Sequence, residues 1–134
     1  MVTRQQIVAA ARSYIGCRYH HQGRNRAGID CAGLLVCVAR DVGISTEGDQ
    51  GGYSRTPDGR SLKQALDAFG TPVDAFQPGD FLLMRFDAQP QHIAIVTDVG
   101  IIHSYLSARR VVEHGLSDDW RARIVQAYAF PGVE

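Results

Sequence analysis

The sequence has no apolar run long enough to cross a membrane, no net charge and only three cysteines. Each shortage removes a class of function. A membrane-spanning helix needs about 20 consecutive apolar residues, and no window reaches that length. The opening MVTRQQIVAAARSYIG is not a secretory leader, because Arg4 and Arg12 bracket too short an apolar stretch. Synthesis in the cytoplasm is therefore expected, with delivery by another agent for any work outside the cell. Fourteen basic residues balance fourteen acidic ones, so no net field draws the chain to nucleic acid or an anionic membrane. Three cysteines cannot all pair, no Cys-x-x-Cys occurs, and free thiols fit a reducing compartment. There is no internal repeat, no low-complexity tract and no linker. Residues 1–134 read as one domain, large enough to bury a core without staples.

Hydrophobic spacing gives the elements. Ile7, Ala11, Tyr14 and Ile15 recur at helical period behind Thr3, a candidate N-cap, with Gly16 as the stop. Cys31, Leu34, Leu35 and Val38 make one stripe of a second helix, capped by Asp30 and closed by Arg40 and Gly43. Residues 44–60 are Gly-rich and polar and read as a long loop. Leu62, Leu66 and Phe69 mark a short third helix. QPGD at 77–80 is a turn signal, after which FLLMRF, HIAIVTD, IIHSYL, RRVVEH and RIVQAYAF follow as short β runs. Helices first and strands second predict an α+β fold, its helices packed on a five-stranded antiparallel meander.

Cys31 is placed where a thiol gains reactivity. The first turn of a helix offers unpaired N–H groups that favour thiolate and can also hold an oxyanion. Asp30 opposes ionisation unless its carboxylate turns to the cap. The competing reading is a small buried hydrophobe, and Cys37, mid-helix among apolar neighbours, takes that reading. Cys17 precedes the polar CRYHHQGRNRAG and fits either. A cysteine nucleophile needs a base, usually histidine, oriented by a third polar group. His20, His21 and His114 sit in or beside loops, whereas His92 opens a β run and His103 lies inside the next. These two are 11 positions apart, so they share a sheet face only across an even-numbered loop. A two-residue loop at Thr97-Asp98 sets them opposite; a three-residue loop at Asp98-Val99-Gly100 separates them unless Gly100 carries a bulge.

GIDCAGLLV, PGDFLLM, QHIAIVTD and IIHSY, in that order, resemble the NlpC-type cell-wall peptidases, a branch of the papain-like cysteine peptidases. The similarity runs from about Ile7 to Phe130. It implies a papain-like fold with Cys31 as nucleophile, His92 as base and His103 as the group orienting the base. Tyr19 matches a family tyrosine that helps with substrate or oxyanion, and Asp30 the acid that receives the free amino end of a stem peptide. The implied substrate is a peptidoglycan stem peptide, often cut after γ-D-glutamate, with no metal or organic cofactor. The short form and its C-terminal segment are similar to a phage-tail and gene-transfer-agent subgroup, which implies other particle proteins as partners and delivery to the wall by a particle.

Departures from the pattern are equally specific. Ala32 stands where the family has Ser, and His20, His21 and Gln22 replace Trp-Gly-Gly, so the acceptor pocket differs. Two rivals follow: a papain-like tail or adaptor domain without activity, and a zinc site built from Cys17, His20, His21 and Cys31. The adjacent histidines weigh against the zinc site, since neighbours rarely reach one ion together.

Overall fold

The computed structural model describes residues 1–46, 60–86 and 89–134. Most of the loop expected over 44–60 lies outside the described residues. Helix α1 spans Arg4–Arg12. Thr3 caps it reciprocally: the Gln6 N–H donates to Thr3 Oγ1 at 3.1 Å, and the Thr3 N–H donates to Gln6 Oε1 at 2.9 Å. Ile7, Val8 and Ala11 form its buried face. After Arg12 the backbone tightens to three-residue bonds, the Tyr14 N–H donating to the Ala11 carbonyl at 3.1 Å and the Ile15 N–H to the Arg12 carbonyl at 3.2 Å, and the helix ends before Ile15. The chain then turns through Gly16 at φ +92°.

A ribbon of β1 (Arg24–Asn25) and β2 (Gly28–Ile29) leads into α2, Cys31–Asp41. Leu34, Leu35 and Val38 of α2 are sunk in the core. The loop before the ribbon presses on the first turn of α2, where a Cβ at Gly33 would stand 2.0 Å from the Gly23 carbonyl oxygen. Only glycine lets the two backbones meet there. Helix α3 (Ser61–Phe69) follows, carrying the expected apolar face with Leu66 buried. No helix among the described residues is long and apolar enough to cross a membrane.

Among the described residues, six strands make the main antiparallel sheet, in the order β3-β8-β4-β5-β6-β7. They are β3 (Thr71–Val73), β4 (Phe81–Phe86), β5 (Gln89–Val96), β6 (Ile101–Tyr105), β7 (Arg110–His114) and β8 (Ile124–Ala129). The expected runs became β4 to β8, and β4 to β7 are a meander. Two features differ from expectation. Strand β8 does not extend the meander beyond β7 but returns to pair with β4, carried there through the short helix α4 (Asp118–Arg121). Tyr128 anchors it, stacking on Phe81 at 5.1 Å between ring centroids and donating its hydroxyl to Asp67 at 2.5 Å. The sixth strand, β3, pairs with β8 at the edge, the place where a strand tolerates Pro72.

Side chains alternate across the sheet. Phe81, Leu83, Ile93, Ile95 and Ile102 pack on α1 and α2 in the main core. Leu82, Met84, Ala94, Val96 and Ile101 face the other way, into a second cluster that includes Trp120. The turn before β4 ties the first helix to the sheet: the buried Asp80 carboxylate accepts the Gln77 N–H at 2.9 Å and pairs with Arg4.

Candidate active site

Asp30 ends the ribbon and caps α2. Its buried carboxylate accepts the N–H groups of Gly33 and Gln22, each at 2.7 Å, and meets the Arg24 guanidinium at 3.1 Å. One side chain therefore caps the helix and clamps the loop ahead of it. Cys31 follows in the first turn, half-buried. Burial pushes its thiol up to about 12, the Asp30 charge adds to the rise, and backbone N–H groups of Ile93 and Ala32 oppose it. The sulfur thus lies against β5 at Ile93, the residue after His92. Among the described residues, no hydrogen bond joins the sulfur to His92 at rest.

The histidines come together through turn length. Val96 pairs with Ile101, which leaves Thr97 to Gly100 as a four-residue turn. That is neither the two-residue nor the three-residue loop, yet it is even, so His92 and His103 share a face. Thr97 builds it: its hydroxyl accepts the N–H groups of Val99 and Gly100 and donates to Glu113 at 2.8 Å. His92 Nε2 then lies 2.6 Å from His103 Nδ1. By alternation both rings leave the sheet on the face of Ala94 and Met84, away from the apolar stripe of α2. Cys31, at the tip of α2, meets β5 at Ile93, in the middle of that strand.

The next hairpin repeats the arrangement. Tyr105 pairs with Arg110 across another four-residue turn, and His114 stands 11 positions after His103. His103 Nε2 and His114 Nε2 are 2.8 Å apart, and His114 Nδ1 is 2.8 Å from the Gly115 carbonyl oxygen. From the sequence alone His114 reads as a residue beside a loop. The signal that would have found it was this second 11-residue spacing within RRVVEH.

Aromatic walls enclose the rings. Tyr105 stacks on His103 at 5.1 Å, Phe86 tilts over His92 at 4.8 Å, and Trp120 meets His103 edge-on at 5.1 Å. Burial drives both His92 and His103 below the ordinary imidazole range; Arg123 adds to this at His92, and His92 and His114 add to it at His103. Both rings rest neutral. Tyr19 is half-buried, bridges to Ile29 and receives its backbone anchor from the Arg109 carbonyl at 2.9 Å. It lines a groove of about 480 Å³ with Arg18, Leu106, Arg109 and Arg110.

The remaining candidates fall elsewhere. Cys37 is buried and donates to the Arg24 carbonyl at 3.0 Å. Cys17 packs on the main core, and His20 Nδ1 lies 2.9 Å from the His21 carbonyl oxygen. Among the described residues, no group of three or more His, Cys, Asp or Glu side chains is arranged to hold a metal ion.

Comparison with known proteins gives this geometry a lineage. No curated protein matches the chain significantly. Among solved structures, the NlpC/p60 domain of the peptidoglycan hydrolase SagA is 27% identical, with a TM-score of 0.70 over 96% of this chain and 100% of that one. An NlpC/P60 family protein from Bacillus cereus has a TM-score of 0.73 at 21% identity, over 95% of this chain and 40% of that one. NlpC1 from Trichomonas vaginalis has a TM-score of 0.70 at 17% identity, over 95% and 44%. These last two share the fold, and this chain spans less than half the length of either. The sequence matches the NlpC/P60 family pattern over residues 16–129, a stretch that takes in Cys31, His92 and His103, and the chain belongs to the NlpC/P60 family.

Proposed function

We propose that this domain is a cysteine peptidase that hydrolyses peptide bonds in the stem peptides of peptidoglycan. One observation carries the reading: His92 is bonded to His103 at 2.6 Å on a strand whose next residue touches the Cys31 sulfur at a helix N-terminus. Membership of the family supports it, as does the name of the SagA domain as part of a peptidoglycan hydrolase. The thiol rests protonated. Rotation of the Cys31 side chain toward His92 lets the imidazole take the proton, through a bond that forms when substrate arrives. The sulfur attacks the peptide carbonyl, and the oxyanion forms at the first-turn N–H of Cys31, beside Tyr19. Collapse breaks the C–N bond, and the departing amine takes its proton from His92. Water activated by His92 then hydrolyses the acyl-thioester and restores the thiol. His103 holds the His92 ring. The scheme uses no metal or organic cofactor. Asp30 supports the tip of α2, and a substrate amine reaches its carboxylate only by displacing Arg24.

In this reading the scissile bond follows γ-D-glutamate, and the domain works as part of a phage-tail or gene-transfer particle. Balanced charge supports the second point, since it gives the domain little hold on an anionic wall. The rival, an adaptor domain without activity, draws on the high thiol, the missing sulfur–imidazole bond at rest and Ala32. Digestion of purified muropeptides by wild type and Cys31→Ala, read by mass, decides between them. New fragments with wild type alone support the peptidase; none from either protein leaves the adaptor.

A further inference from the structure

The arginines among the described residues divide into those with a protein partner, Arg60 included, and those without. Arg4, Arg12 and Arg24 pair with carboxylates. Arg26, Arg40 and Arg85 donate to oxygen acceptors, and Arg121 and Arg123 lie over aromatic rings. The guanidiniums of Arg18, Arg109 and Arg110 have no protein partner among the described residues, and all three are exposed. They line the same groove, with Tyr19 and Leu106 completing it. The backbone beneath is fixed: Arg18 pairs across to Arg110, and the Tyr19 N–H donates to the Arg109 carbonyl at 2.9 Å. Arg109 is held at φ +62°, a conformation that favours glycine. In a chain of balanced charge, three unpaired cations converging on one groove repel one another until an anion enters. One lining residue leads toward the nucleophile: Tyr19 bridges to Ile29, two residues before Cys31.

We propose that this groove binds the free carboxylates of the stem peptide and so lays the peptide across Cys31, an assignment that rests on the peptidase reading. A γ-linked glutamate leaves its α-carboxylate free, and a guanidinium takes a carboxylate through two parallel N–H donors. The volume of about 480 Å³ suits a peptide segment, with a phenol and a leucine for its apolar parts. The test compares a soluble stem tetrapeptide carrying free carboxylates with the same peptide amidated, using wild type and Arg18→Gln, Arg109→Gln and Arg110→Gln. Each substitution raises KM for the free acid about tenfold with kcat unchanged and leaves the amidated peptide little affected. Equal effects on both peptides overturn the assignment. So does competition by a polyol phosphate that is stronger than competition by the stem carboxylates, which gives the groove to a wall phosphate. Binding is also measured on Cys31→Ala by NMR titration. Carboxylate-dependent binding without cleavage by wild type sinks the peptidase reading alone; cleavage indifferent to the arginines sinks the groove alone.

A second inference comes from proton bookkeeping in the histidine chain. The Gly115 carbonyl can only accept, so His114 Nδ1 carries a hydrogen; with that single proton on the ring, its Nε2 accepts. His103 Nε2 must then donate to it, which leaves His103 Nδ1 as an acceptor and His92 Nε2 as a donor. His92 Nδ1 ends with a lone pair, the form a general base requires. The geometry points to His114 as a positioning residue that sets the tautomer of His92 through His103. In ¹⁵N spectra of the wild type, the protons should sit on His92 Nε2, His103 Nε2 and His114 Nδ1. A proton on His103 Nδ1 overturns the idea without any variant. His114→Leu should lower kcat by about tenfold to a hundredfold with KM unchanged, and His114→Gln, whose carbonyl still accepts, should restore most of it. Equal loss in both variants assigns His114 to packing only.

Discussion

Cys37 lies mid-helix, buried, with its sulfur donating to the Arg24 carbonyl at 3.0 Å. Cys31, on the same helix and six residues earlier, meets the N–H groups of Ile93 and Ala32 instead. The Cys37 thiol gives a hydrogen to a carbonyl and meets the Tyr14 hydroxyl; the Cys31 sulfur meets backbone donors at the helix tip. Burial raises both, yet only Cys31 has an imidazole in the neighbouring strand position. The lesson is that helix position sets the role of a cysteine: donors are unpaired at the tip and spent in the middle. The largest effect should follow from exchanging the two. Cys31→Ala should cut cleavage of soluble stem peptides by at least about 10³-fold while the fold stays intact. Cys37→Ala should keep activity and lower unfolding free energy by about 1–3 kcal/mol, read from urea midpoints. A Cys31→Ala protein that still cleaves would end the comparison.

Alkylation sharpens the same contrast. If burial alone governed Cys31, its thiol at about 12 would react faster by about tenfold for each pH unit through neutrality. Proton transfer to His92 should instead hold the rate nearly level around neutral pH in wild type, and His92→Ala should bring the steep slope back. Cys37 should stay unreactive until the protein unfolds. Mass spectrometry of iodoacetamide adducts across pH separates the two thiols. A steep slope in wild type would favour the adaptor reading.

The partners of the two thiols also respond differently to acid. His92 and His103 are held neutral by burial, below the ordinary imidazole range. In the unfolded chain they take up protons as pH falls past about 6.5. The unfolded state then binds more protons, so their contribution is complete above that pH and is lost as pH drops below it, by up to about 1.4 kcal/mol per unit for each ring. Urea midpoints at neutral and mildly acid pH should show that slope, and the double variant His92→Gln, His103→Gln should flatten it. An unchanged slope would place the acid-sensitive groups elsewhere.

Apolar spacing made much of this architecture legible. Thr3, Asp30 and the stripe from Cys31 to Val38 announced two helices, and the runs that became β4 to β8 were visible as strands. What stayed hidden depends on contacts distant in sequence. Strand β8 goes to β4 because Tyr128 finds Phe81 and Asp67, which no local pattern records. Strand β3 was masked by Pro72, a poor strand residue that an edge accepts. At the site, Cys31, His92 and His103 were nameable, but whether the two rings shared a face turned on Thr97, whose hydroxyl builds a four-residue turn. His114 reads as a loop residue because it ends its β run beside Gly115, although its spacing from His103 equals that of His103 from His92. The double duty of Asp30, cap and clamp, was half visible: the cap is local, while Gln22 and Arg24 reach it only in the folded loop.

The smallest effect concerns what Asp30 does to the thiol beside it. Burial is the main reason Cys31 sits high, and the Asp30 charge is the next; Arg24 works in the opposite direction. Asp30→Asn keeps an oxygen to accept the Gly33 N–H, so α2 retains its cap. It removes the negative charge, and with it the pairing of that carboxylate with the Arg24 guanidinium at 3.1 Å. Both changes favour thiolate. In a His92→Ala background, where the thiol titrates alone, the alkaline limb of Cys31 alkylation should therefore move down, by less than about one pH unit because desolvation persists. Stability should fall by about 1–3 kcal/mol, the usual cost of weakening hydrogen bonds to a buried charged group. A limb that moves up would mean that Asp30 acts on Cys31 through the position of α2 rather than through its charge.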